Sequence, residues 1–141
     1  MSAKPIILSL LSFLLCSCAN QRTPSKDRLE AVSNIKLPAT FYVLKDEFQD
    51  MGQDYAIYYD LKFDNPSIIK LIEHIKSSRL YHANGSSAMY SDSVMYREPN
   101  DFSIWYTTAN GYEFMGKDGD VLYEIIVDAK ASTLKYHEYV L

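Results

Sequence analysis

Glu113, Glu124 and His137 are the residues whose types and spacing best suit chemistry in this chain. Asn110-Gly111 and Asp118-Gly119 are the dipeptides of type I′ hairpin turns, in which both central residues need positive φ. Two-residue turns at those points place Thr107 opposite Phe114 and Glu113 opposite Glu124. A four-residue loop over 129–132 then sets Glu124 opposite His137. The three would form one transverse row, flanked by Lys135 and Tyr139. Two carboxylates with a histidine can move protons or hold a divalent cation. Carboxylates directly opposite each other repel by a few tenths to about 1 kcal/mol, and the repulsion pushes one pKa up. The same row also reads as a solvated sheet face on which Lys135 and His137 offset two glutamates. That plainer reading is favoured, because no cleft is implied. His74 falls on the outward side of a helix and His82 starts a loop, so the three histidines have no metal-ligand spacing. Asp118-Gly119-Asp120 lacks the remaining ligands of a calcium loop and reads as a turn. Glycine-rich phosphate loops, a Gly-x-Ser-x-Gly elbow and a His-Glu-x-x-His pair are all absent from the sequence. No metal or cofactor is expected.

Tyrosine is the second signal. The chain has 12 tyrosines, more than a core of this size needs. Tyr58, Tyr90, Tyr96, Tyr106 and Tyr139 fall off the core face or in a long loop. Tyrosine offers large contact area at low entropy cost, with a hydroxyl that tolerates water. These five therefore either recognise a partner or cover the second face of the sheet.

The elements that must position these residues follow from periodicity. A strand begins at Phe41-Tyr42-Val43-Leu44 and turns near Asp50 to Asp54. Tyr55, Ile57, Tyr59, Leu61 and Phe63 then alternate with polar or small positions, the pattern of a half-buried strand. Asn65-Pro66 opens a helix over 66–80, with Asn65 as N-cap and Ile68, Leu71, Ile72 and Ile75 as its apolar stripe. Residues 82–100 form a polar loop. Four strands follow near 102–109, 112–117, 120–128 and 133–140. The expected fold is α+β: a single antiparallel sheet of five to six strands with one main helix packed on one face.

The N-terminus is an address. One positive charge, Lys4, precedes an apolar run from Ile6 to Leu15. Ten helical residues span about 15 Å, half a bilayer core, so the run suits a secretory signal and not a membrane span. It ends in Leu15-Cys16-Ser17-Cys18, which resembles the lipobox of bacterial lipoproteins. That resemblance implies cleavage before Cys18, a diacylglycerol on its sulfur, acylation of the new amino group, and a cell-envelope location. Cleavage before Cys16 would instead put leucines at −1 and −2, where small residues are preferred. With Ala19 and Asn20 after the cysteine, the pattern is similar to outer-membrane sorting if the cell is Gram-negative.

The expected organisation is a signal peptide over 1–17, a tether over 18–37 and one α+β domain over 38–141. The mature chain of 124 residues carries 13 basic and 18 acidic side chains, which gives no electrostatic reason to expect nucleic acid. Apart from Cys18 it has no thiol, so it has neither a disulfide nor a cysteine nucleophile. In the tail, Tyr112-Glu113-Phe114 through Gly116-Lys117-Asp118-Gly119 to Tyr123–Lys130 and Leu134-Lys135-Tyr136 is similar to PepSY-type domains. These are small envelope modules, some proposed as protease inhibitors. The chain reads as a lipid-anchored, non-catalytic module binding an envelope protein, of inhibitor, immunity or assembly type. The alternative is a hydrolytic or cation-binding site at Glu113, Glu124 and His137.

Overall fold

The computed structural model describes residues 22–85 and 101–140. Eight elements follow in order: α1 (Ser25–Ser33), β1 (Tyr42–Met51), β2 (Asp54–Lys62), α2 (Asn65–Ser77), β3 (Phe102–Thr107), β4 (Gly111–Asp118), β5 (Val121–Asp128) and β6 (Thr133–Val140). The six strands form one open antiparallel sheet in the order β1-β2-β6-β5-β4-β3. The expected α+β class with a single antiparallel sheet is present, and a second, shorter helix accompanies the one main helix expected.

The chain joins its two strand groups into one sheet by laying β6 against β2. Tyr59 faces Tyr136 and Leu61 faces Leu134, continuing on to Ile125 and Val127 of β5. These side chains share one buried cluster with Ile68, Leu71 and Ile75 of α2 and Leu29 of α1. The expected stripe of α2 is thus buried, with Ile72 partly so. Its N-cap is Asp64 and not Asn65. The Asp64 carboxylate accepts the Ser67 N–H at 2.8 Å from extended backbone, and Pro66 follows in the first turn. Aspartate and asparagine are both good caps, so neighbouring candidates leave the choice to backbone geometry.

The stretch 18–37, expected to be a tether, is corrected over its described part. Residues 25–37 belong to the folded body: Leu29 is fully buried, and Ile35 and Leu37 nearly so. The apolar stripe of α1 is thin, as its sequence suggests, and polar contacts secure the helix instead. Ser25 Oγ donates to Asp46 of β1 at 2.6 Å, and Trp105 Nε1 of β3 donates to the Ser33 carbonyl at 2.8 Å. The helix therefore reaches from the β1 edge of the sheet to β3. Asn34 ends it in the left-handed conformation, φ 54°.

Two hairpin registers differ from expectation by two residues. Thr107 faces Tyr112 and Trp105 faces Phe114, because the Thr108 N–H bonds the Gly111 carbonyl and Ala109-Asn110 form the loop. Gly111 serves another purpose: a Cβ there would lie 2.1 Å from the Val127 carbonyl oxygen, so the close approach of β5 requires glycine. In the next hairpin Asp118 faces Val121, and Gly119-Asp120 form the turn. Of these two only Gly119, at φ 59°, is left-handed, whereas type I′ needs both. A shift of two preserves which face each residue occupies. The last hairpin has the expected register, with Glu124 facing His137 and Ile125 facing Tyr136.

Candidate functional site

The sheet face opposite the buried cluster carries one continuous transverse row: Glu47, Tyr58, His137, Glu124, Met115 and Ile104, one from each strand. Period-two alternation puts them there, and antiparallel pairing lines them up. The row changes character along its length. In its β1-to-β5 half it is polar and partly exposed. Lys45 Nζ sits 4.4 Å from the Tyr58 ring centre and 3.0 Å from Glu47 Oε2. The Tyr58 and His137 rings meet edge to face at 5.1 Å. His137 Nδ1 lies 3.4 Å from Glu124 Oε2. In the β4-to-β3 half the face is apolar, and Ile104, Met115 and Tyr106 form a second buried cluster.

Glu113 stands at the boundary between these halves. It faces Ile126 on one side and Tyr106 on the other, so it is not opposite Glu124 as the two-residue turns implied. The two glutamates are diagonal neighbours. Burial pushes the Glu113 carboxyl above the usual carboxylate range, the nearby Tyr106 hydroxyl opposes this, and the Glu124 charge adds to it. Burial first, then Glu113, likewise pushes the Tyr106 hydroxyl up.

Of the expected recognition tyrosines, Tyr58 and Tyr139 lie on this face, both partly exposed. Tyr106 is fully buried, so it is removed from the recognition set. It packs with Ile104 and Met115, and a Cβ on Gly85 would come within 2.9 Å of its Cβ. Tyr90, Tyr96 and Cys18 lie outside the described residues. Among the described residues no group of three or more His, Cys, Asp or Glu side chains is placed to hold a metal ion.

A polar cluster on the opposite face went unforeseen. Glu138 is fully buried among core residues, between Ile57 and Tyr123. Arg28 of α1 donates to both carboxylate oxygens, with Nε at 2.9 Å from Oε2 and a second, shorter contact to Oε1. Tyr55 donates to Oε1 at 2.5 Å, and Tyr136 donates to Oε2. Burial alone would push the Glu138 carboxyl up. The hydrogen bonds from Arg28, Tyr136 and Tyr55 outweigh it and hold the group below the usual range. A signal was present in the sequence: Leu134, Tyr136, Glu138 and Val140 share one face by period two, so a charge there requires a partner. The edge strand β1 was also underestimated. Among the described residues it holds five of the seven large apolar side chains that are exposed: Tyr42, Val43, Leu44, Phe48 and Met51.

Among the described residues no helix is long and apolar enough to cross a membrane. Comparison of the chain with protein-family models, curated proteins and solved structures gives no match.

Proposed function

We propose that this protein is a lipid-anchored envelope lipoprotein, acylated at Cys18, that binds another envelope protein through the open face of its sheet. Both helices cover the other face in this reading. The observation that carries it is the polar half of the transverse row. Lys45, Tyr58, His137 and Glu124 present a cation, two aromatic rings and a carboxylate across four neighbouring strands. Aromatic anchors with a polar surround are the composition of recognition surfaces. Tyr139 and Ile126 extend the patch, Ile126 at 40% exposure. Inhibition, immunity and assembly are the roles that fit such a module.

The test passes envelope extract over immobilised residues 19–141 and identifies what is retained by mass spectrometry. A single stoichiometric protein is expected, lost with Tyr58→Ala and with His137→Ala. Retention that both variants leave intact would sink the assignment to this face. A second reading rests on one observation, the raised carboxyl of Glu113 beside Glu124. A half-buried carboxyl of that kind suits a general acid in hydrolysis. It predicts a phenotype lost with Glu113→Gln while Tyr58→Ala is tolerated.

A further inference from the structure

We infer that the β1 edge of the sheet is a membrane-contacting surface, seated on the interface of the bilayer that holds the Cys18 anchor. The inference rests on the acylation of Cys18 proposed above and adds the orientation that acylation imposes.

The first argument is chain length. The described chain begins at Arg22, and Arg22 is fixed on β1: its guanidinium carbon lies 4.9 Å from the Phe48 ring centre and its Nη2 3.4 Å from Asp46 Oδ1. Three residues separate Cys18 from Arg22, and the four Cα-to-Cα steps reach at most about 14 Å. A diacylglycerol on Cys18 therefore holds the Arg22 backbone within that distance of the headgroups, and the β1 edge one arginine side chain beyond it. Adjacent strands are about 4.8 Å apart, so the β3 edge stands roughly 24 Å further out. Docking of α1 is what makes the leash this short; an unfolded stretch from 18 to 37 would have let the domain swing at about 65 Å.

The second argument is composition. Tyr42, Val43, Leu44, Phe48 and Met51 are 43–64% exposed, and all lie on this one strand. A soluble edge strand normally carries charge in such positions to avoid pairing. The charges that β1 does carry have partners. Lys45 pairs with Glu47 at 3.0 Å, Asp46 accepts from Ser25 and Arg22, and Asp50 accepts the Gly52 N–H at 2.9 Å. Charges already paired lose less on approach to a low-dielectric surface than bare ones. The open backbone edge limits depth, because unpaired N–H and C=O groups are not tolerated in hydrocarbon. The strand thus lies at the headgroup level, with its exposed apolar side chains flanking the edge on both faces of the sheet and resting in the interface. Seated this way, the sheet stands off the membrane and its open face remains available to a partner.

The test uses the full lipidated chain reconstituted into phosphatidylcholine vesicles, with intact-mass analysis to establish the diacylglycerol on Cys18. Leu44→Trp and Met51→Trp each place an indole on the β1 edge, and Ile126→Trp places one on the open face. The native Trp105 is fully buried, so spectra are read as differences from the parent chain. Both β1 indoles are expected to emit to the blue and to lose roughly half their intensity to lipids brominated on their acyl chains, since interfacial burial reaches about 5–10 Å. The Ile126→Trp indole is expected to emit as in water and to be unquenched. Water-like, unquenched emission from both β1 variants on an acylated chain would overturn the inference. So would a blue shift that brominated lipid does not quench, which would mean that β1 pairs with a second copy or another protein. Absence of the diacylglycerol would instead refute the anchor reading, and the orientation with it.

Discussion

Replacing Arg28 with alanine isolates one of the polar contacts that hold α1 to the sheet. Glu138 keeps no solvent exposure while the Arg28 side chain retains 26%, so the substitution strands a buried carboxylate beside a partly opened space. Breaking one side of a buried ion pair costs about 3–5 kcal/mol. Tyr55 and Tyr136 continue to donate to the carboxylate, which argues for the lower end, about 3 kcal/mol. With an m-value of about 2 kcal/mol/M the urea midpoint should fall by roughly 1.5 M at unchanged m. The pH dependence supplies a second readout. In the parent, the folded-state pKa of Glu138 is lowered, so its stabilisation is present above the unfolded carboxylate value and is lost as pH falls through the folded value. Burial is already the largest single influence, and without the Arg28 hydrogen bond and charge to offset it that pKa rises. The penalty is then full at neutral pH and shrinks as pH falls toward the unfolded carboxylate value, about 4.3, because the stranded carboxyl in the variant takes up its proton above that value. Urea unfolding at pH 7 and pH 4 should therefore show the gap between parent and Arg28→Ala narrowing in acid. A gap below about 0.5 kcal/mol at pH 7 would refute the reasoning, because the pair would then contribute no more than an exposed one.

Two glycines in the hairpins should respond in opposite degree. Gly111→Ala drives a methyl group into the Val127 carbonyl and should cost several kcal/mol, about 3 or more, in thermal unfolding, whereas Gly119→Ala meets open space and pays only for its positive φ, about 1 kcal/mol. The cap of α2 gives a matched pair. Asp64→Ala should cost about 1 kcal/mol and Asn65→Ala less than about 0.5, read as midpoints in urea; a larger loss at Asn65 than at Asp64 would return the cap to Asn65.

Much of the architecture was legible from local pattern. Tyr55 to Phe63 alternates with period two, Ile68 to Ile75 follows period 3.6, and Gly-containing dipeptides punctuate the last strands. Each of these is a short-range property that backbone geometry converts directly into an element. The face occupied by Glu113, Glu124 and His137 was legible too, because errors of two residues in register leave the faces unchanged. Their mutual distance was not. Whether Asn110-Gly111 supplies the turn or the first strand residue depends on the neighbouring Val127 carbonyl, which belongs to a different strand. Tyr106 illustrates the same limit. Its alternation with Trp105 put it correctly on the second face, but its burial came from Ile104, Met115 and the approach of Gly85.

The sequence alone determined the α+β composition, the order of α2 and the strands, the position of most turns and the absence of any thiol beyond residue 18, since all of these depend on residues close together in the chain. The tertiary structure decided which hairpin joins which: β2 pairs with β6 across more than seventy residues. It also decided that 25–37 is part of the domain. A helix with one good apolar residue cannot advertise its docking site, because that site is made by Asp46, Glu138 and Trp105, residues from three different strands. Period and propensity report how a segment folds against an apolar surface. A polar clasp between distant segments has no period, so it exists only once the chain has brought its two halves together.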